Sequence, residues 1–390
     1  MSQKNVSINN SNQFTIGIDA SNLRGGGGLT HLVELLRIAN PLQHDFDQII
    51  VWGDKATLSM LDDHSWLRKQ EISDFYNGFM HRTIFQCFYL TRAAKNADCD
   101  LIFVPGGSFV GSFNKVVTMS QNLLPFQMNE LRRYGWTLFT LKLLLLRLVQ
   151  SYSFKKSNGV IFLTKYAQQT VSCVTGKLHG KFCIIPHGIN ARFLKKPKPQ
   201  LPIYDYDDNY PYRILYVSII DQYKHQWNVI EAVESLRKMG LPIILDLVGP
   251  AYIPALNRMK VAMANFDDNQ SWVNYHGNVP FNELHNFYDK ANLGVFASSC
   301  ENMPMILLET MASGLPIACS NLGPMPEILG DKGVYFHPER PEEIFRAIHY
   351  LIKSPQLREE MAQDSYERSH QYTWQRCADE TFSFLTLFKK

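Results

Sequence analysis

The chain reads as an α/β protein built from two doubly wound domains. Three observations predict this. Short β-rich runs alternate with apolar-periodic helical stretches from end to end, the pattern of mostly parallel sheets covered on both faces. Glycine- and proline-rich turns follow several strands, as at Gly25 to Gly28, Pro105-Gly106-Gly107 and Pro186-His187-Gly188. The alternation is interrupted once, by a proline- and charge-rich stretch from Lys195 to Pro211, and then restarts.

The first half gives strands at Phe14 to Ala20, Gln48 to Trp52, Leu101 to Val104, Lys115 to Met119, Gly159 to Leu163 and Phe182 to Ile185. Helical signals run from Leu29 to Ile38, across roughly 129 to 156 and from about Lys165. The stretch 54–97 is mixed, aromatic and helical in part. Past the interruption the strands are Arg213 to Val217, Ile243 to Val248, Val273 to His276, Leu293 to Ala297 and Ile317 to Cys319. Three helical segments begin near Pro341, Pro355 and Thr373. The expected units are 1–195, 196–372 and a C-terminal helix, 373–390, packing back on the first domain. Ligands of such sheets bind beyond the carboxyl ends of the strands, so two joined domains predict a cleft between them.

Composition narrows the class. The 390 residues allow two to three domains at roughly 150 residues each. With 45% hydrophobic and 19% charged residues and a mean hydropathy of -0.18, the chain is neither disordered, nor collagenous, nor a polytopic membrane protein. A net charge of +3 is too mild to argue for a nucleic-acid partner, and none is expected. Seven dispersed cysteines without a CxxC pair suit small core residues in a reducing, cytoplasmic setting. The polar start, MSQKNVSINNSNQ, has no apolar core of a secretory signal.

Ser298 to Glu309 is the strongest local feature. Glu301 and Glu309 lie eight residues apart, after a strand. Proline suits a first helical turn, so a helix is expected to start near Pro304. That places Glu301 in the loop at the strand's end and Glu309 one to two turns into the helix. The free N–H groups at the helix start offer donors to an anion or to hydroxyls. Spacing alone leaves open a solvated Glu301 and an outward-facing Glu309. The following Met311-Ala-Ser-Gly-Leu-Pro-Ile317 and Gly323-Pro-Met-Pro-Glu327 supply more context.

With those residues in place, Phe296 to Pro338 resembles the signature of family 4 glycosyltransferases of the GT-B fold. Asn274-Tyr-His-Gly-Asn278 with Glu283, Leu284, Phe287 and Tyr288 looks like that family's base-binding strand and helix. Pro186-His187-Gly188-Ile189-Asn190 looks like its interdomain turn, and Gly25 to Gly28 like its N-terminal glycine loop. The resemblance implies an acceptor-side N-terminal domain, a C-terminal domain that binds a nucleotide sugar, and retaining transfer without a metal or other cofactor. It implies that Glu309 holds ribose hydroxyls, and that Glu301 holds sugar hydroxyls or balances developing charge. The donor sugar would rest on Asn302, Met303, Pro304, Met305 and Ile306, and the base between Asn278 and Val279. Gly26 and Gly27 would face the donor. A carboxylate accepts two hydroxyls well, which suits a ribose diol.

The sequence departs from the family in two places. The diphosphate site usually carries an arginine and a lysine; Lys224 matches the lysine, but Ile219 stands at the arginine position and Ser218 at a glycine. Arg24, His225 or a helix N-terminus are the candidates to compensate. Many relatives place a histidine where this chain has Gln121 or Asn122, amides that do not act as bases near neutral pH. These two are read as facing the acceptor or donor sugar, or as forming a turn. His187 is a turn residue near the cleft or a ligand, and Asp19 orients the glycine loop or an acceptor. No His, Asp or Glu cluster has metal-ligand spacing, and Asp205-Tyr-Asp207 lies in the linker.

Leu131 to Lys156 carries six basic residues, no acid and the run Leu143 to Leu146. It reads either as a core helix with lysines reaching to solvent or as peripheral contact with an anionic membrane, although its charges do not segregate cleanly. The functional expectation is transfer of a hexose-type sugar to a glycan or lipid-linked acceptor in surface polysaccharide or lipopolysaccharide synthesis. A catalytically weak nucleotide- or sugar-binding module is the alternative, motivated by Ile219. A dehydrogenase-like enzyme is disfavoured because no dinucleotide fingerprint is present.

Overall fold

The computed structural model describes residues 14–23, 25–72, 84–267, 269, 271–331 and 333–389. The first sheet comprises β1 (Thr15–Asp19), β2 (Gln48–Gly53), β3 (Leu67–Glu71), β4 (Leu101–Val104), β5 (Val116–Met119), β6 (Gly159–Phe162) and β7 (Lys181–Ile184). Its order is β3-β2-β1-β4-β5-β6-β7, with every pair parallel. The second comprises β8 (Tyr212–Val217), β9 (Ile243–Val248), β10 (Val273–Tyr275), β11 (Leu293–Phe296), β12 (Ile317–Ser320) and β13 (Val334–Phe336). Its order is β10-β9-β8-β11-β12-β13, again parallel throughout. Strand order reverses beside β1 and beside β8, so each sheet has a switch point at which a ligand site forms.

The helices of the first half are α1 (Gly26–Ile38), α2 (Lys55–Ser59), α3 (Thr91–Asn96, preceded by π-helical Phe85–Leu90), α4 (Met128–Arg132), α5 (Leu138–Lys156) and α6 (Lys165–Thr175). Those of the second half are α7 (Gln226–Arg237), α8 (Ile253–Phe266), α9 (His285–Lys290), α10 (Met305–Ala312), α11 (Met325–Leu329), α12 (Pro341–Lys353), α13 (Pro355–Ser369) and α14 (Trp374–Thr386). The central strands β1, β4, β5, β6, β11 and β12 are buried along their whole length, because helices cover both faces of a parallel sheet. The helices bury one face. On α12 the buried residues are Ile344, Ala347, Ile348, Leu351 and Ile352, at helical spacing.

The helix expected across 129 to 156 is two helices. Gly135 takes a left-handed φ of 62° between them. Thr137 then starts α5, its hydroxyl accepting from Thr140 N at 3.2 Å. The break buries Tyr134 against Phe139 and Tyr252. The stretch 54–97 holds α2, the charged edge strand β3 and α3, with 73–83 outside the described residues.

The chain crosses between the domains at 186–195 and returns near 370. Ile189 N donates to Tyr372 O at 3.0 Å. A Cβ on Gly188 would overlap the backbone of Thr373 and Trp374, so only glycine allows the two crossings to touch. Helix α14 then lies against α1, with Trp374, Phe382, Phe384 and Leu385 buried.

Candidate active site

A cavity of about 740 Å³ opens between the carboxyl ends of the two sheets. One wall comes from the first domain: the turn after β1, the start of α1, Gly106 after β4, residues 121–124 after β5, and His187. The other comes from the second: Ser218, Ile219 and Lys224 after β8, Gly249 after β9, Asn278 and Val279 after β10, and Cys300 to Ile306 with Glu309 after β11. Thus Gly26, Gly27, Gln121, Asn122, His187, Lys224, Asn278, Val279, Glu301, Asn302, Met303, Pro304, Met305, Ile306 and Glu309 all line one space. Asp19 does not.

On the C-terminal wall, α10 starts at Met305 after Pro304 with no side-chain cap, which leaves its first N–H groups available to a ligand. Glu309 sits just over one turn in. Its carboxylate is buried, which pushes its pKa up to about 8, against the lowering effect of the Tyr288 hydroxyl donating at 3.3 Å. Lys224 is also buried. It is held at the end of a short turn, where Lys224 N donates to Asp221 O at 3.0 Å and the Tyr216 hydroxyl to Lys224 O at 2.8 Å. Its ammonium lies over the Tyr223 and Phe296 rings and donates to Glu301 Oε1. The two residues expected to handle diphosphate and sugar are thus an ion pair.

Lys224 is the only lysine or arginine lining the cavity among the described residues. Ile219 lines it too, at the arginine position. His225 does not compensate: it is buried behind the wall, with Nε2 2.9 Å from Ser299 Oγ, and burial pulls its pKa down to about 3. Arg24 lies outside the described residues.

On the N-terminal wall, close approach falls on Gly28 rather than on Gly26 or Gly27. A Cβ on Gly28 would lie 2.6 Å from Gln121 Oε1, whereas one on Gly26 or Gly27 would meet nothing within 4 Å. Asn122 Oδ1 accepts from Leu124 N at 3.0 Å and so shapes its own turn. His187 and His31 meet at 2.9 Å through their Nδ1 atoms, and burial holds both imidazoles uncharged. Asp19 is buried off the cavity. Its carboxylate accepts from Ser21 N at 3.0 Å and from Gln86 Nε2 at 2.6 Å, so it fixes the turn ahead of the glycine loop instead of touching an acceptor.

The structure adds residues that join the walls. Thr164 Oγ1 donates to Asn302 O at 3.0 Å, and Asn302 Nδ2 donates to Ser120 O at 2.9 Å. The Tyr134 hydroxyl donates to Asp221 Oδ1 at 2.7 Å, and Ser299 Oγ to Glu130 Oε2 at 2.8 Å. Glu327 accepts from Lys165 N and Tyr166 N at 2.8 and 2.9 Å, a carboxylate from one domain capping a helix of the other. None of these pairs has a spacing signal in the sequence, since each joins elements from different domains.

Comparison with known proteins agrees with this geometry. A family model described as glycosyl transferases group 1 matches residues 207–368. The O-antigen chain mannosyltransferase B of Escherichia coli is 25% identical over 172 residues, covering 43% of this chain and 44% of that protein. The match therefore spans less than half the length of that relative. Sucrose-phosphate synthase from Thermosynechococcus elongatus superposes with a TM-score of 0.75 at 14% identity, over 96% of this chain and 99% of its own. HepE from Anabaena, solved with UDP and glucose, gives 0.71 at 14% identity, over 96% and 100%. Two parallel sheets facing across a cleft are the architecture these structures share. The chain thus has the GT-B fold of these structures, and its residues 207–368 match the glycosyl transferases group 1 model.

Proposed function

We propose that this enzyme moves a hexose from a nucleoside diphosphate sugar to a glycan or lipid-linked acceptor, with retention at the anomeric carbon and without a metal. The observation that carries the reading is the convergence of Glu309, Glu301, Lys224 and the uncapped start of α10 on one cavity. Glu309 accepts the ribose hydroxyls. The base lies by Asn278 and Val279. The diphosphate draws Lys224 away from Glu301, which frees that carboxylate for the sugar hydroxyls. In the reaction the anomeric carbon–oxygen bond breaks with its electron pair leaving on the diphosphate. The acceptor oxygen bonds to the same face, and its proton passes to the departing phosphate oxygen. No protein base is required, which accommodates the amides at 121 and 122. Lys224 stabilises the charge that develops on the leaving group.

The O-antigen relative supports a surface-glycan acceptor. The outer face of α5 supports work at a membrane. Leu138, Leu141, Leu145, Leu148 and Tyr152 are all exposed, Leu138 by 86%, and Trp136 beside them fully so. At about 100° per residue they fall within an arc of about 80°. Lys142, Lys155 and Lys156 are exposed around them. No helix among the described residues is long and apolar enough to cross a membrane. We place this face on an anionic leaflet. A Leu141→Glu/Leu148→Glu double variant is expected to lose sedimentation with phosphatidylglycerol vesicles and to keep nucleotide affinity; unchanged sedimentation removes the membrane from this reading.

The second reading, a binding module with weak turnover, draws on Lys224 being the single cation of the described lining and already paired. Two measurements separate the readings. Melting with UDP, GDP and ADP, each with and without chelator, identifies the base; a ligand at a hundred times its Kd stabilises by about 2.7 kcal/mol. Release of free nucleoside diphosphate in the presence of acceptor then supports transfer. A melting shift without release supports the binding module.

A further inference from the structure

Three amide side chains of the N-terminal wall, those of Gln121, Asn22 and Gln150, lie near glycines. A Cβ on Gly28 would lie 2.6 Å from Gln121 Oε1, one on Gly106 3.4 Å from Asn22 Cβ, and one on Gly107 3.2 Å from Gln150 Nε2. These contacts sit at the carboxyl ends of the neighbouring strands β1, β4 and β5. A side chain at Gly28 would collide with Gln121, one at Gly106 would only touch Asn22, and at Gly107 the φ of 77° and Met119 O at 2.8 Å, more than Gln150, require glycine.

Gln150 is the informative member. It stands on the inner face of α5, is 4% exposed and lines the cavity. Its amide oxygen is buried with no hydrogen-bond partner among the described residues. Across the same cavity, Asn302 Oδ1 is also buried and unpartnered, although its Nδ2 is used. Buried polar atoms are rarely left unpaired, so these two oxygens call for a ligand that brings O–H or N–H donors. A sugar hydroxyl donates and accepts at once, which matches an amide better than a charge does. Among the described residues this wall holds no lysine, arginine, aspartate or glutamate, and His187 is kept neutral.

We infer that Asn22, Gln121, Asn122 and Gln150 form the acceptor subsite for an uncharged sugar ring, with Gln150 Oε1 receiving an acceptor hydroxyl. The inference rests on the transfer reading above and names the chemical class of its acceptor. Helix α5 turns Gln150 inward and its leucine stripe outward. The acceptor sugar thus lies about one helix diameter, roughly 10 Å, from the surface assigned to the lipid.

The test saturates the enzyme with whichever nucleoside diphosphate raises its melting temperature. It then titrates methyl α-mannoside, methyl α-glucoside and methyl α-galactoside against mannose 6-phosphate, glucose 6-phosphate and glucuronate, by ligand-observed NMR. At least one neutral glycoside is expected to bind about tenfold or more tightly than the charged sugars. Gln150→Met, which keeps the volume and removes the amide, is expected to weaken it at least about tenfold and to leave nucleotide affinity unchanged. If that variant does not fold, Gln150→Asn makes the same comparison. Preferential binding of a charged sugar, no binding of any neutral glycoside to the nucleotide-loaded enzyme, or full binding by the variant overturns the inference and leaves the transfer reading standing. Failure of all three nucleotides to bind overturns the transfer reading and this inference with it.

Discussion

The two walls of the cleft differ in how they are built. The C-terminal wall carries the ionisable chemistry: Lys224 paired with Glu301, and Glu309 buried just over one turn into α10. The N-terminal wall is neutral among the described residues, with glycines, amides and an uncharged His187 backed by His31. The family model matches residues 207–368, within the C-terminal half. A nucleoside diphosphate demands charge and carboxylates at fixed places. An acceptor sugar asks only for hydroxyl partners in a suitably shaped space. Under the transfer proposed above, the first wall serves the donor and the second the acceptor.

The largest expected effect comes from removing Lys224, the one lysine or arginine that lines the cavity among the described residues. Lys224→Ala should lower transfer by about a hundredfold or more, since stabilisation of leaving-group charge is worth that much. Calorimetry should show nucleoside diphosphate affinity falling at least about tenfold, about 1.4 kcal/mol. Unchanged affinity would remove Lys224 from the diphosphate site and erase the contrast between the walls.

Glu301→Ala sharpens the comparison within the charged wall. Transfer should again fall by about a hundredfold. Nucleoside diphosphate affinity should hold or rise, because Lys224 loses its competing partner. A parallel loss of nucleotide affinity would show that Glu301 supports the diphosphate site and not the sugar.

Glu309 links the site to pH. Its pKa of about 8 lies above the ordinary carboxylate value of 4.5. The group's contribution to stability is therefore complete below pH 4.5 and is lost as pH rises towards and through 8. Ligand binding runs the other way, because the ribose diol needs the carboxylate. Between pH 6 and 8, nucleotide affinity should rise with pH by up to about tenfold per unit and then level off, with proton release seen in calorimetry in two buffers. Glu309→Gln should flatten that profile, weaken nucleotide binding about tenfold and raise the melting temperature of the empty protein at pH 9. A flat profile in the parent enzyme contradicts the assignment.

The smallest effect is expected from Gly28→Ala on the neutral wall. The new methyl meets the tip of Gln121 at 2.6 Å and Leu23 Cδ2 at 3.2 Å, both ends of side chains that can shift. Stability should change by less than about 1 kcal/mol, and the acceptor KM should shift while nucleotide affinity stays the same. A change in nucleotide affinity would mean that the glycine loop serves the donor more than the acceptor.

The strands that the sequence shows most clearly are those buried on both faces, such as Leu101 to Val104 and Gly159 to Phe162, because burial there demands an unbroken apolar run. Strand β3, Leu67-Arg-Lys-Gln-Glu71, is hidden because an edge strand carries charge on its open side. Strand β13 is hidden because it is three residues long and half-buried. The break between α4 and α5 escapes periodicity because it serves a distant contact, that of Tyr134 with Asp221.

What the sequence by itself determined is therefore local: the order of strand, turn and helix, the interruption after Lys195, and the Glu301 to Glu309 segment that ends β11 and opens α10. Each is written in neighbouring residues, through the side-chain period and turn chemistry. Only the tertiary structure decided that Lys224 meets Glu301 across 77 positions of chain, that Asp19 and His225 stay behind the walls, and that Glu309 is buried enough to hold its proton. Those outcomes depend on which elements pack together and how far water is excluded between them. Burial and partnership are properties of the assembled sheets, and no short stretch of sequence carries them.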